Sequence, residues 1–125
     1  MSKVKKELKY LDSHEWVKID GSIATIGITD YAQDSLGDIV YLELNQVGDK
    51  VTYKESFAAI ESVKAASDIN SPVTGVVVEV NDALVDAPEA INEDAYSAWL
   101  IKVEITDEAT LDELLDSEEY LLLCK

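Results

Sequence analysis

The chain of 125 residues contains no arginine, one histidine and one cysteine. Without a guanidinium it lacks the planar fork that grips phosphate or carboxylate in bidentate fashion. The single cysteine, Cys124, excludes an internal disulfide, and a lone thiol at this position is consistent with a reducing compartment. One imidazole, His14, forms no His/Cys metal spacing, and Ser13-His14-Glu15 is a local run rather than a nucleophile–base–orienter set. His14 therefore reads as a histidine at the start of a strand. The carboxylates never fall into a calcium-loop pattern, and the five scattered glycines make no phosphate loop. No apolar run approaches the roughly 18 residues that a spanning helix needs. The equipment of an ordinary enzyme is missing, which points to a protein that is bound or acted upon.

Ten lysines stand against 26 acids, giving a net charge of −16. That balance opposes nucleic acid as a partner, because affinity there comes from cations neutralising phosphates, and it disfavours an anionic membrane surface. Residues 81–125 hold 13 of the acids and only two lysines, which reads as a solubilising surface. Residues 1–11 carry four lysines but no apolar segment, and they include Glu7, so neither a secretory signal nor a transit peptide is expected. Residues 1–8 read as a loosely ordered arm, the cytoplasm of a bacterial-type cell as the location, and a monomer as the state. The length suits one domain, residues 1–125, able to bury roughly two thirds of its unfolded surface.

Hydrophobic patterning predicts short antiparallel strands. Glu15–Asp20 and Ser22–Ile28 flank the turn Asp20-Gly21. Thr29-Asp30 opens a helix of one or two turns that Gly37 ends. Asp38–Leu44 alternates strictly, Val47-Gly48-Asp49 is a turn, and Val51–Tyr53, Ser56–Glu61, Ala66–Asn70, Gly75–Val80 and Trp99–Ile105 are further strands. Asp107 is an N-cap candidate for a helical segment over 107–123, in which Thr110–Leu115 has leucines at helical spacing and Ser117–Tyr120 begins a second short helix carrying Leu121, Leu122 and Leu123. The predicted class is mainly β, a sandwich or flattened barrel with short peripheral helices.

One segment is odd on physical grounds. Two strand-like runs flank Ser62–Ala66, so a hairpin is expected, yet the turn holds none of the Gly, Asn or Asp that tight hairpins prefer. Its tip is Val63-Lys64-Ala65, and Lys64 is the only lysine between Lys54 and Lys102. A lone lysine at such a tip is either a solvated side chain or one presented to another protein.

The run Glu61-Ser62-Val63-Lys64-Ala65-Ala66-Ser67-Asp68 resembles the lipoylation motif of the glycine cleavage system H protein family. Ser13–Val17, Ala24–Gln33, Leu36–Val40, Ser71–Gly75, Glu79–Asn81 and Leu111–Tyr120 resemble further blocks of that family in the same order, over roughly residues 9–123. Gly48 and Gly75, 16 residues before and 11 after Lys64, resemble the glycine placement of lipoyl domains in general. Two departures stand out. Asn92–Trp99 lacks the family's usual proline and is one residue short, and Ser35 replaces a histidine found in some relatives.

The resemblance implies a lipoyl/biotinyl-type flattened barrel-sandwich, with lipoic acid in amide linkage on Lys64. It implies an attachment motif flanked by Glu61, Ser62, Val63, Ala65 and Ala66, and an arm-docking cleft lined by Ser13, Glu15 and Asp68. Ordinary roles for those three, as cap, strand and turn residues, remain open. The implied role is a carrier rather than an enzyme. Its arm would take an aminomethyl group from a pyridoxal-phosphate glycine decarboxylase to an aminomethyltransferase, then deliver electrons to a dihydrolipoyl dehydrogenase, after loading by a lipoate-attaching enzyme. Lysine plus lipoyl chain makes a tether of about ten single bonds, on the order of 14 Å. The alternatives are a lipoylated carrier or donor outside glycine cleavage, a 2-oxoacid dehydrogenase lipoyl domain, a biotin carrier and an unmodified interaction domain. Val63 and Ala65, where biotin carriers have methionine, oppose the biotin reading.

Overall fold

The computed structural model describes residues 4–124. Nine strands follow in chain order: β1 Lys9–Tyr10, β2 Glu15–Asp20, β3 Ile23–Ile28, β4 Ile39–Glu43, β5 Lys50–Val51, β6 Ser56–Ser62, β7 Ala66–Asn70, β8 Thr74–Val80 and β9 Ile101–Asp107. They form a six-stranded sheet in the order β1-β2-β3-β9-β8-β5 and a three-stranded sheet in the order β4-β6-β7. Every ladder between these strands is antiparallel, as expected where no long helical crossover separates strands. The ladders make two separate sheets rather than a closed barrel.

The main core draws inward-facing residues from both sheets, among them Val17, Ile26, Leu42, Ile60, Ile69, Val77 and Val103. Four helices lie at the periphery: α1 Asp30–Leu36, α2 Asp82–Asp86, α3 Ala90–Glu93 and α4 Ser117–Leu121. None of the helices among the described residues is long and apolar enough to cross a membrane.

Local chemistry explains α1. Thr29 stands in extended backbone and its Oγ1 accepts from Ala32 N at 3.2 Å, satisfying one of the helix's first free N–H groups. Gly37, at φ +80°, ends the helix by donating its N–H to Gln33 O. α2 and α3 escape the sequence reading because each is at most five residues and neither has a side-chain cap.

Three expectations need correction. Residues 1–3 of the anticipated loose arm lie outside the described residues, but 4–8 are anchored. Leu8 is buried, and the Tyr10 hydroxyl accepts from Lys5 N at 2.7 Å and donates to Lys5 O at 2.9 Å. The 107–123 segment keeps its second expected helix but not its first. Asp107 ends β9, a single 3-10 turn covers Leu111–Glu113, and Leu115 is extended and exchanges both backbone hydrogen bonds with Tyr10. Only then does α4 begin, under a capping box between Asp116 and Glu119. Finally, the strict alternation of 38–44 fails at a bulge between Ile39 and Tyr41, which turns Val40 and Tyr41 both to solvent.

Candidate functional site

The β6–β7 hairpin places Lys64 at its tip, and Ser62 explains how the turn closes without glycine. Ser62 N donates to Ala65 O at 2.8 Å, while Ser62 Oγ accepts from Lys64 N at 3.3 Å and Ala65 N at 3.1 Å. The buried hydroxyl substitutes for backbone partners that a conventional tight turn would supply. A second tie, from Val63 N to Asp38 O at 3.0 Å, fixes the tip to the start of β4. Val63, Lys64, Ala65, Ala66 and Glu61 are all exposed. The root of the side chain is thus held while the side chain itself is exposed.

Lys64 extends over Gly37. A Cβ built on Gly37 would come within 3.4 Å of Lys64 Cε. Asn92 secures this spot from the side of α3: its Nδ2 donates to Gln33 Oε1 at 2.9 Å and to Gly37 O at 2.8 Å, and its Oδ1 accepts from Ile39 N at 2.8 Å. One amide thus joins the end of α1 to the start of β4. The 92–99 segment closes through Asp94, which accepts from Tyr96 N and from Ser97 Oγ.

Beside Gly37 opens a cleft of about 310 Å³. Tyr31, Ala32, Ser35 and Leu36 of α1 line it together with Ser13, His14 and Ser67. Ser13 and Glu15 come together as the sequence suggested: Ser13 Oγ donates to Glu15 Oε1 at 2.5 Å. Glu15 itself lies beneath the surface, 2 % exposed, with Oε2 accepting from Asn70 N at 2.8 Å. Asp68 is not brought to this cleft. It lines a separate shallow depression with Glu61 and Ala66, and Ser67 stands between the two. The cleft residues His14, Tyr31 and Ser67 were not among the sequence candidates. Another depression, about 400 Å³ and lined by Trp16, Lys18, Trp99 and Lys102 among others, shares no residue with the hairpin or the cleft.

Burial raises the Glu15 carboxyl from its ordinary value of 4.5 to about 7, although the hydrogen bonds from Ser13 and Asn70 oppose the shift. The folded protein holds this proton where the unfolded chain releases it. Glu15 therefore favours the folded state most fully below pH 4.5, and that contribution is lost as pH rises to about 7. Glu15→Gln keeps the buried polar contacts, since the Ser13 hydroxyl can reverse to accept. The stability of the parent relative to Glu15→Gln should fall by on the order of 3 kcal/mol across that window, as read from denaturant midpoints. A flat difference would show that the fold leaves the Glu15 titration unshifted.

A family model described as glycine cleavage H-protein matches residues 8–125. The chain belongs to the glycine cleavage H-protein family. A glycine cleavage system H protein of Carboxydothermus hydrogenoformans is 58 % identical over 121 residues, covering 96 % of this chain and 93 % of that protein. The mitochondrial glycine cleavage system H protein 2 of Arabidopsis thaliana is 57 % identical over 125 residues, covering 99 % of this chain and 80 % of its own length. The crystal structure of a glycine cleavage system H protein from Mycobacterium marinum superposes with a TM-score of 0.85 at 38 % identity, covering 94 % of this chain and 95 % of that one. The two-sheet architecture is thus that of a solved H protein.

Proposed function

We propose that this member of the H-protein family is the lipoyl carrier of glycine cleavage, with lipoic acid in amide linkage on Lys64. The observation that carries the reading is the hairpin itself: a tip clamped by Ser62 and Asp38 presents an exposed lysine over Gly37, next to a cleft of mixed polarity. The residues fit the group. Leu36, Ala32 and the Tyr31 ring offer apolar surface to a hydrocarbon chain and its sulfurs, and the cleft serines offer hydroxyls to an amide. When bound, the group supplies a disulfide that takes up a one-carbon unit and electrons from glycine.

Every other task falls to the chain. Lys64 anchors the arm, and acylation removes its charge, so the side chain can lie in the cleft or in a partner without desolvating an ammonium. Ser62 fixes the anchor point. Ser13, oriented by Glu15, lines the resting place, with Ser67 on the same side. The exposed Val63, 71 % accessible, and the bulged Val40 and Tyr41 give partner enzymes an apolar surface beside the lysine. Those partners are the pyridoxal-phosphate decarboxylase, the aminomethyltransferase, dihydrolipoyl dehydrogenase and the lipoate-attaching enzyme, which the carrier would visit as a monomer in the cytoplasm. Its contribution is presentation at high effective concentration. Asp68 reads as a surface residue of the hairpin rather than part of the docking cleft.

Incubation with a lipoate-attaching enzyme and lipoate should add one lipoyl mass, mapped by peptide mass spectrometry to Lys64. Modification at Lys54 or Lys50, or uptake of biotin in its place, would overturn the assignment.

A further inference from the structure

Aromatic side chains far apart in sequence meet behind the cleft. Tyr120 of α4 is fully buried, and its Oη lies 2.8 Å from His14 Nδ1 and 2.6 Å from Thr29 Oγ1. Its ring stacks on Tyr10 with centroids 4.5 Å apart. His14 in turn stacks on Tyr31, also at 4.5 Å, with planes 29° apart. Filling the core needs only the Tyr120 ring. The hydroxyl does something else: it ties the segment before β2 to the start of α1, the two segments that supply His14 and Tyr31 to the cleft. His14 precedes β2, Thr29 caps α1, which carries Tyr31, and Thr29 N donates to His14 O at 3.0 Å.

The His14 backbone stands at φ +78°. A non-glycine residue keeps that conformation only where its surroundings enforce it. The Tyr120 hydroxyl and the Tyr31 ring are the side-chain contacts that hold the imidazole there. With Nδ1 engaged by Tyr120 and one face covered by Tyr31, the imidazole is held in a single orientation where it lines the cleft.

We propose that Tyr120 is a positioning residue for the carried arm, its hydroxyl locking the His14–Tyr31 pair as the aromatic wall against which the sulfur-bearing end of the arm rests. Sulfur near an aromatic ring is a favourable contact, and a wall set by a buried hydroxyl keeps its shape between visits to partners. The C-terminal helix, distant from Lys64 in sequence, thereby controls how well the arm is sheltered. This inference rests on the carrier reading of Lys64.

The test exploits the single histidine, which makes isotope-labelled imidazole resonances unambiguous. In lipoylated protein, loading the arm with its one-carbon unit should shift the His14 signals. In Tyr120→Phe, which retains the ring stack, the Nδ1 signal should move toward that of a free imidazole and the loading shift should disappear. The loaded variant should also release ammonia and formaldehyde about tenfold faster in the absence of the transferase, the expected consequence of one lost hydrogen bond. A Tyr120 that is merely structural would lower Tm yet leave both the loading shift and the release rate unchanged well below it, and that result overturns the proposal. If Tyr120→Phe does not fold, His14→Asn, whose side chain tolerates positive φ, should show the same faster release, and an unchanged rate overturns it equally. Failure of the parent to take lipoate at Lys64, read by mass before loading, would sink the carrier reading instead.

Discussion

Lys64→Ala should fold like the parent and carry nothing. In a reconstituted glycine cleavage assay the rate should drop to the level without carrier, while Tm moves by no more than about 2 °C, as for an exposed side chain worth under roughly half a kcal/mol. The asymmetry follows from how the tip is built. Its turn is closed by Ser62 and tied to Asp38 through Val63 N. The Lys64 ammonium makes no ion pair among the described residues; the salt bridges there belong to Lys54 and Lys102. Residual turnover above background would mean that another lysine serves as anchor, and a large fall in Tm would mean that Lys64 is structural.

Gly75→Ala should be the most damaging single methyl group in the molecule. Gly75 sits in β8 beside a register shift and faces Ile105 of β9. A Cβ there would come 2.1 Å from the backbone oxygen of Glu104 and 2.7 Å from Val103 Cγ1. Backbone of a central strand cannot step aside as a flexible side chain can, so strands β8 and β9 would have to separate. A loss of about 3 kcal/mol or more is expected, roughly 10 °C in Tm. Gly48→Ala is the internal control. It stands at φ +97° with nothing within 4 Å of its Cβ, so it should cost only the conformational penalty of about 1–2 kcal/mol. Equal losses at the two sites would show that backbone conformation, not the close approach of β9, decides the cost at Gly75.

Much of this architecture is legible in the sequence. The hairpin 15–28 follows from alternation around Asp20-Gly21, and α1 from Thr29 and Gly37, because each signal acts over a few residues. The bulge in β4 is not legible, since Val40 is apolar and only pairing with β6 shows that it faces water. The tether of residues 4–8 depends on Tyr10, whose partners Leu115 and Tyr120 lie more than a hundred residues away. The site divides in the same way. Lys64 stands within a continuous motif, whereas the cleft wall is assembled from His14, Tyr31 and Tyr120, and the support beneath Lys64 from Asn92. No local pattern marks a side chain whose task is to bridge two distant segments. Glu15 shows the limit from the other direction: the resemblance implies a cleft-lining carboxylate, yet the fold buries it behind Ser13.

The strand order has a consequence for how the protein is made. Strand β3 finds its second partner only in β9, with Ile23 opposite Glu104. A ribosome adding about 5–20 residues per second needs on the order of 4–16 s to synthesise the intervening chain. Throughout that interval Ile23, Ile26 and Ile28 belong to an unfinished sheet with an open edge. The three-stranded sheet bearing Lys64 is complete once residue 70 has emerged, because its strands β4, β6 and β7 are close neighbours in sequence. Folding of the six-stranded sheet is therefore limited by long-range pairing and falls among the slower topologies. The hairpin bearing Lys64 has its own local pairing well before the scaffold beneath it closes.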